Sequence, residues 1–282
     1  MSVKPITALL IVLAIVSGCR GKEAGLEPKG VKSFDNVSAA AWDKLAGKRI
    51  FFGHQSVGYN IVDGVEALSK ENSSIRLTIV ETTDPSRFDA PVFAHARVGR
   101  NGDPGSKCDS FEQSMDLGLG SRADIAFFKY CYVDITRESD VEKVFESYKA
   151  TVRRVKTKYP RLTLVHVTVP LTSTDYTLAV RLKSFMKHIL GREDENVARG
   201  VLNERIRKEF GRTDPVFDLA AIESTSPVGE SIGFTYHGKR YPSMYRGYTT
   251  DGGHLNATGK RVTAVGLLQT LLRGIENEKT NR

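Results

Sequence analysis

Two short segments near opposite ends of the sequence carry the side chains that serine-based acyl transfer requires. They are FGHQSVG at 52–58 and TDGGHLN at 250–256. A nucleophilic serine needs a histidine to accept its proton and a carboxylate to orient that histidine. Ser56, His254 and Asp251 therefore form a candidate catalytic triad.

Each segment also has a purely structural interpretation. Ser56 lies where an apolar run gives way to an amphipathic one, and serine is a favoured helix cap. The chain has no GxSxG turn of the α/β-hydrolase type there. The Asp251-x-x-His254 segment is compatible with an Asp turn before a helix. The catalytic interpretation therefore requires that the fold bring the two segments together.

Short apolar runs alternate with longer amphipathic runs, which is typical of a parallel sheet covered by helices. We predict strands at 49–53, 75–82, 124–130, 162–169 and 215–219. We predict helices at 57–70, 141–159, 177–190, 197–210 and 257–275. The stretches 83–121 and 224–250 are rich in Gly and Pro and are interpreted as long functional loops at the sheet edge.

In this order, the two segments resemble the SGNH (GDSL-like) hydrolases, over roughly residues 49–273. In that family the nucleophile follows the first strand, and an Asp-x-x-His segment precedes the last helix. The resemblance implies a three-layer α/β/α sandwich with a flavodoxin-like parallel five-stranded sheet. It also implies that Ser56 is the nucleophile, His254 the general base and Asp251 the residue that orients it.

The middle blocks of the family depart from its usual pattern here. The family's second block supplies a glycine N–H to the oxyanion hole, and Gly99 and Gly102 are the candidates beside the Ser56 N–H. The third block is usually Gly-x-Asn-Asp, whereas 129–134 reads KYCYVD and has no Asn. Asn101, Lys129 or a backbone N–H could substitute for it.

Several further residues are candidates for the same site. His54, Lys129 and Tyr248 are predicted to contact substrate, although a structural role is also open for each. We expect no cofactor and no metal. For Cys108 and Cys131 we hypothesise a disulfide that pins the second-block glycines, with two free thiols as the alternative.

The N-terminus predicts export and lipid anchoring. Residues 1–18 combine Lys4 with a short apolar run, and VSGC at 16–19 resembles a lipoprotein lipobox. The prediction is a signal peptide at 1–18, lipidated Cys19, a tether at 19–33 and one domain at 34–282. An ordinary signal peptide with an incidental Cys is the alternative. The expected location is the bacterial cell envelope, facing the periplasm or the cell surface.

The sequence leaves two functional hypotheses open. The net charge of +8 comes without a Lys/Arg-rich block, so nucleic-acid binding is not indicated. The first hypothesis is a lipid-anchored serine esterase or acyltransferase that acts on acyl esters, chiefly acetyl, of a small molecule, glycan or envelope component. The second is a non-catalytic envelope carbohydrate-binding protein that keeps the fold. The intact triad favours the first, and the altered third block favours the second.

Overall fold

A computed structural model of the protein describes residues 34–174 and 192–277. The helices are α1 (Ala39–Ala46), α2 (Val57–Glu71), α3 (Pro104–Ser114), α4 (Gly120–Arg122), α5 (Val141–Lys158), α6 (Arg192–Phe210), α7 (Leu219–Glu223) and α8 (Ala257–Asn277). The strands are β1 (Arg49–His54), β2 (Ile79–Glu81), β3 (Val92–Arg97), β4 (Ile125–Phe128), β5 (Thr163–Leu164), β6 (His166–Val167), β7 (Val216–Phe217), β8 (Gly233–Tyr236) and β9 (Lys239–Pro242).

The central sheet is parallel and has the strand order β2-β3-β1-β4-β5. Strand β6 follows β5 after one residue, Val165, and pairs in parallel with β7. The series β3, β1, β4, β5–β6, β7 is the flavodoxin-like order, with β2 added at one edge. The α/β fold class implied by the sequence resemblance is confirmed.

Alternation along the strands produces two cores, one on each face of the sheet. Ile50 and Phe52 pack with residues of α1, α2 and α8, whereas Phe51 packs with residues of α3, α5 and α6. All three strand residues are fully buried. A strand that is apolar on both faces requires helices on both faces, and this accounts for the three-layer sandwich.

The set of predicted strands needs one correction. The second predicted strand, 75–82, is only the short edge strand β2, and the neighbour of β1 is β3. Strand β3 lies inside the stretch 83–121, for which the sequence predicts a loop. The strand is not predicted because its sequence, VFAHAR, follows a proline and mixes small, charged and apolar residues. The second predicted loop, 224–250, contains the β8–β9 hairpin.

The helices predicted at 57–70, 141–159, 197–210 and 257–275 correspond to α2, α5, α6 and α8. The helix predicted at 177–190 lies outside the described residues. So do the predicted signal peptide, Cys19 and the tether, which stay predictions. In the two described ranges, no helix has the length and apolar character that crossing a bilayer requires.

Candidate active site

Ser56 lies in a sharp turn between β1 and α2. Its backbone has φ 42° and ψ −102°, a conformation that few residues with a side chain adopt. Its side chain makes no capping hydrogen bond to α2, so the helix-cap interpretation is wrong. Strained backbones of this kind occur at strand-to-helix turns that present a nucleophile. Because the Ser56 hydroxyl does not cap α2, it must have another partner.

That partner is His254. The Ser56 Oγ and His254 Nε2 atoms are 2.5 Å apart, and His254 Nδ1 lies 2.7 Å from Asp251 Oδ2. Because a carboxylate accepts hydrogen bonds, Nδ1 carries a proton and Nε2 is left free to accept the serine proton. The fold thus brings the three predicted residues into one line of contacts, from Ser56 Oγ through the His254 ring to the Asp251 carboxylate.

The Asp251 carboxylate is held ionised by the turn that carries it. Its Oδ1 accepts the N–H groups of Gly253 and His254 at 2.9 and 2.8 Å. Partial burial raises the pKa of Asp251, but the Gly253 N–H, the His254 ring and the His254 N–H together outweigh it. The pKa therefore lies below its usual value. The side chains of His254 and Asp251 are 46% and 54% exposed, so the triad opens directly to solvent.

Close packing of α2 against α8 brings the two halves of the triad together. A Cβ atom at Gly64 would overlap the backbone carbonyl of Lys260, so only glycine permits this approach. Nearer the site, Asn60 Oδ1 accepts the N–H of Leu255 at 3.1 Å, which ties the nucleophile helix to the histidine segment. An ion pair between Lys260 and Asp63 (2.7 Å) adds a further contact.

The predicted oxyanion donors fall into two groups. Within the described part of the chain, the N–H groups of Ser56 and Gly99 donate to no protein acceptor. Gly99 has φ +58°, and a Cβ there would come within 2.6–2.7 Å of the Lys107 and Ser106 backbone. Gln55, next to the nucleophile, donates to the Gly99 carbonyl at 2.8 Å and keeps this loop beside Ser56.

Gly102 is a different case. Its N–H donates to Asp134 Oδ1 at 2.8 Å, so the prediction that it serves the oxyanion hole is corrected. Asn101 is exposed, and its side-chain oxygen accepts a hydrogen bond from Lys107.

The three residues predicted to contact substrate are buried. His54 Nε2 lies 3.0 Å from His95 Nδ1, Lys129 Nζ lies 3.3 Å from Cys131 Sγ, and the Tyr248 side chain is 1% exposed. Burial, with the nearby Lys129 charge, lowers the pKa of His54 to about 2, so its ring is neutral. These side chains lie beneath the surface, which corrects the prediction of direct contact.

The hypothesis of a Cys108–Cys131 disulfide is wrong. Both thiols are free and buried. Cys108 Sγ lies 3.0 Å from Tyr130 Oη, whereas Cys131 Sγ faces Lys129 Nζ. The two sulfurs therefore have separate partners.

Tyr132 contributes to the site although no sequence motif indicates it. The Tyr132 ring packs edge-on against the His254 ring, with centroids 5.8 Å apart. Gly253 permits this contact, since a Cβ there would come within 2.8 Å of the Tyr132 ring. Tyr132 belongs to the altered third block, and no motif marked it. Within the described ranges, no group of three metal-ligating side chains is found.

The buried carboxyl group of Glu223, at the end of α7, gives a testable dependence of stability on pH. Glu223 Oε2 accepts the N–H of Leu171 at 2.6 Å, and Oε1 has no hydrogen-bond partner among the described residues. Burial raises the pKa of Glu223 to about 8, although the Leu171 N–H and the charges of Lys129 and Arg199 act to lower it. The folded state therefore favours the protonated acid.

We expect Glu223→Gln to flatten the dependence of Tm on pH. Because the folded pKa is raised, the contribution of Glu223 is complete below its usual pKa and is lost as pH rises through about 8. Thermal unfolding followed at pH values between about 6 and about 9 should show the wild type losing Tm faster than the variant. Glu230→Gln, at an exposed position, is the control and should follow the wild type. Equal slopes in wild type and Glu223→Gln would contradict the protonated state.

Comparisons with known proteins give matches to solved structures alone. No protein-family model and no curated protein sequence matches the chain. An acetyl esterase variant with an acetate ion is 12% identical, with 81% of this chain and 97% of that chain covered and a TM-score of 0.46. A protein from Slackia heliotrinireducens assigned to the SGNH hydrolases is 14% identical (80% and 99% covered, TM-score 0.43). An acetyl xylan esterase is 16% identical (79% and 98% covered, TM-score 0.43). At these identities the likeness concerns the fold, and the chemistry of the site has to be argued from its side chains.

Proposed function

We propose that this protein is a carboxylic ester hydrolase whose nucleophile is Ser56. The observation that carries the proposal is the unbroken chain of contacts from Ser56 Oγ to His254 Nε2 (2.5 Å) and from His254 Nδ1 to Asp251 Oδ2 (2.7 Å). Two features strengthen it: the strained serine backbone, and the absence of any capping role for its side chain.

In the first half-reaction, Ser56 Oγ attacks the acyl carbon of the ester while its proton passes to His254 Nε2. Negative charge develops on the carbonyl oxygen, and we assign its stabilisation to the N–H groups of Ser56 and Gly99, which donate to no protein acceptor among the described residues. The C–O bond to the alcohol then breaks, and His254 returns the proton to the leaving oxygen. Asp251 stabilises the imidazolium that forms in between.

In the second half-reaction, a water molecule attacks the acyl-enzyme. His254 takes a proton from the water, and the same N–H groups stabilise the second oxyanion. Ser56 leaves as the alcohol when the proton returns to it, and a carboxylic acid is released. A sugar hydroxyl in place of water would make the enzyme an acyltransferase by the same steps.

The open position of the triad supports a substrate that is larger than the reacting ester. His254 and Asp251 are about half exposed, so a polymer can lie across them. We propose acyl esters, chiefly acetyl, on a glycan or another envelope component. The binding-protein alternative keeps the fold but does not account for a serine held in strain against a histidine.

A serine-reactive fluorophosphonate probe tests the proposal. We expect the probe to label the wild-type protein at Ser56 and to leave Ser56→Ala unlabelled. Ser86→Ala is a matched control, because Ser86 hydrogen-bonds Asp84 at 2.8 Å without a histidine and should not affect labelling. Wild-type protein that neither reacts with the probe nor hydrolyses a small acetyl ester would support the binding-protein alternative.

We also propose that Cys19 anchors the protein to the envelope membrane. The support is the lipobox-like sequence VSGC at 16–19. In a bacterial host, wild-type protein should sediment with membranes and incorporate labelled palmitate, because several acyl chains hold a protein stably where one does so only marginally. Cys19→Ser should be unlabelled, and Cys108→Ser should be labelled like the wild type. Absence of label on the wild type would show that Cys19 is incidental.

A further inference from the structure

A buried ion pair connects α3, which follows the second-block loop, with the third-block segment 129–134. Lys107 Nζ and Asp134 Oδ2 are 3.0 Å apart, and both side chains are 0% exposed. Burying two charges is costly unless their remaining hydrogen-bonding capacity is also used. Here it is used, because Asp134 accepts the N–H groups of Cys131 (2.6 Å) and Gly102 (2.8 Å).

The ammonium of this pair has a second partner, the side chain of Asn101. Lys107 Nζ donates to Asn101 Oδ1 at 3.0 Å. A lysine ammonium has donors and no acceptor, so the carboxamide oxygen must face it. The amide NH₂ of Asn101 is thereby turned away from Lys107. It donates to no protein acceptor in the two described ranges, and the residue is exposed.

One hydrogen bond links the loop that carries Asn101 to the turn that carries Ser56. Asn101 is two residues from Gly99, whose carbonyl accepts a hydrogen bond from Gln55, the residue before Ser56. The loop that holds Asn101 therefore borders the nucleophile turn. The third block, where the family usually places its amide donor, has no Asn or Gln in this protein, and its Lys129 side chain is buried.

We propose that the Lys107–Asp134 pair is a positioning device that aims the Asn101 amide into the oxyanion hole. It would thus supply from the second-block loop the side-chain donor that the third block lacks. The inference rests on the proposed esterase function. On this view Asn101 is the catalytic donor, and the buried pair acts only through it.

Steady-state hydrolysis of p-nitrophenyl acetate by Asn101 variants is the first test. Asn101→Ala and Asn101→Asp should each lower kcat by about 10²–10³-fold with little change in KM, since the lost donor acts on the transition state. Asn101→Asp can still accept from Lys107 but offers no N–H, so it separates donation from loop packing. Arg100→Gln is the matched control: Arg100 is exposed, pairs with Asp103 in the same loop, and should keep kcat.

A double-mutant cycle tests the positioning role. Lys107→Met should lower kcat about 10-fold or more, but it should add little in the Asn101→Ala background, because its effect passes through Asn101. If Lys107→Met fails to fold, Lys107→Met combined with Asp134→Asn removes both charges and leaves none buried alone. Circular dichroism checks the folded fraction of each variant.

The outcomes separate this inference from the proposed function. If Ser56→Ala abolishes activity but Asn101→Ala and Asn101→Asp keep the wild-type kcat, the inference is overturned and the esterase stands. An undiminished effect of Lys107→Met in the Asn101→Ala background would equally overturn it, because the pair would then act on the structure in general. Inactive wild-type protein would instead count against the esterase proposal and, with it, this inference.

Discussion

Ser56→Ala is expected to lower kcat for a small acetyl ester by at least about 10⁴-fold while leaving the fold intact. The alanine variant keeps the oxyanion donors and the site surface but has no atom that can form the acyl-enzyme. Removing the hydroxyl costs little stability, since its hydrogen-bond partner among the described residues is the half-exposed His254 ring. Initial rates measured beside circular-dichroism spectra would establish both points.

The other two triad residues should rank below Ser56 in a definite order. His254→Ala should approach the loss of Ser56→Ala, because no other base contacts Ser56 Oγ in the described part of the chain. Asp251→Asn should cost less, about 10²–10⁴-fold, because the carboxylate is 54% exposed and water screens its charge. Asp43→Asn, which changes an exposed carboxylate of α1 that pairs with Arg76, serves as the control and should retain activity. A wild-type kcat in Ser56→Ala would show that ester hydrolysis does not take place at this site.

The three triad candidates could be proposed because the features that mark them are local. Ser56 follows an apolar run, and Asp251 and His254 share one turn before an amphipathic helix, and this order carries the family resemblance that implies their roles. That they meet depends on strand order. Connection rules restrict the possible orders, but the predicted strands lack β3, the neighbour of β1. The same reasoning accounts for α2, α5, α6 and α8, whose apolar periodicity is strong.

The roles of the other candidate residues could not be predicted, because they depend on which side chains the fold buries, and residue type alone does not reveal this. His54 and Lys129 are polar residues at the carboxyl ends of strands, and such residues usually face the site, yet here tertiary packing buries both. The hydrogen bond from the Gly102 N–H to Asp134 joins residues that are 32 positions apart in the sequence, so no local pattern predicts it. Strand β3 was missed because its buried faces include His95 and small alanines rather than a continuous apolar run.

The meeting of the two triad halves depends most directly on one glycine. Gly64 lies in the middle of α2, where alanine would be favoured over glycine by up to about 1 kcal/mol on helix propensity alone. A Cβ there would overlap the Lys260 carbonyl oxygen and come within 2.8 Å of the Lys260 carbonyl carbon and 2.9 Å of Ala264 Cβ. Two of these three atoms belong to the α8 backbone, so no side-chain rotation relieves the overlap.

We therefore expect Gly64→Ala to force α2 and α8 apart. Overpacking typically costs about 1–3 kcal/mol, so after a propensity gain of about 1 kcal/mol the net loss is up to about 2 kcal/mol. Because α2 begins next to Ser56 and α8 begins three residues after His254, the shift also separates Oγ from Nε2. A misplacement of about 1 Å can cost about 10²-fold in rate, so kcat should fall further than stability alone explains.

Chemical denaturation and ester hydrolysis of the same preparations measure the two effects separately. Gly105→Ala is the matched control, because Gly105 is an exposed glycine of α3 with its nearest atom at an ordinary 3.6 Å. It should keep or slightly raise stability and leave the rate unchanged. If Gly64→Ala instead behaves like Gly105→Ala in both measurements, the α2–α8 contact does not set the Ser56–His254 distance. The alignment of the triad would then have to come from the Asn60–Leu255 hydrogen bond and the turn around Asp251.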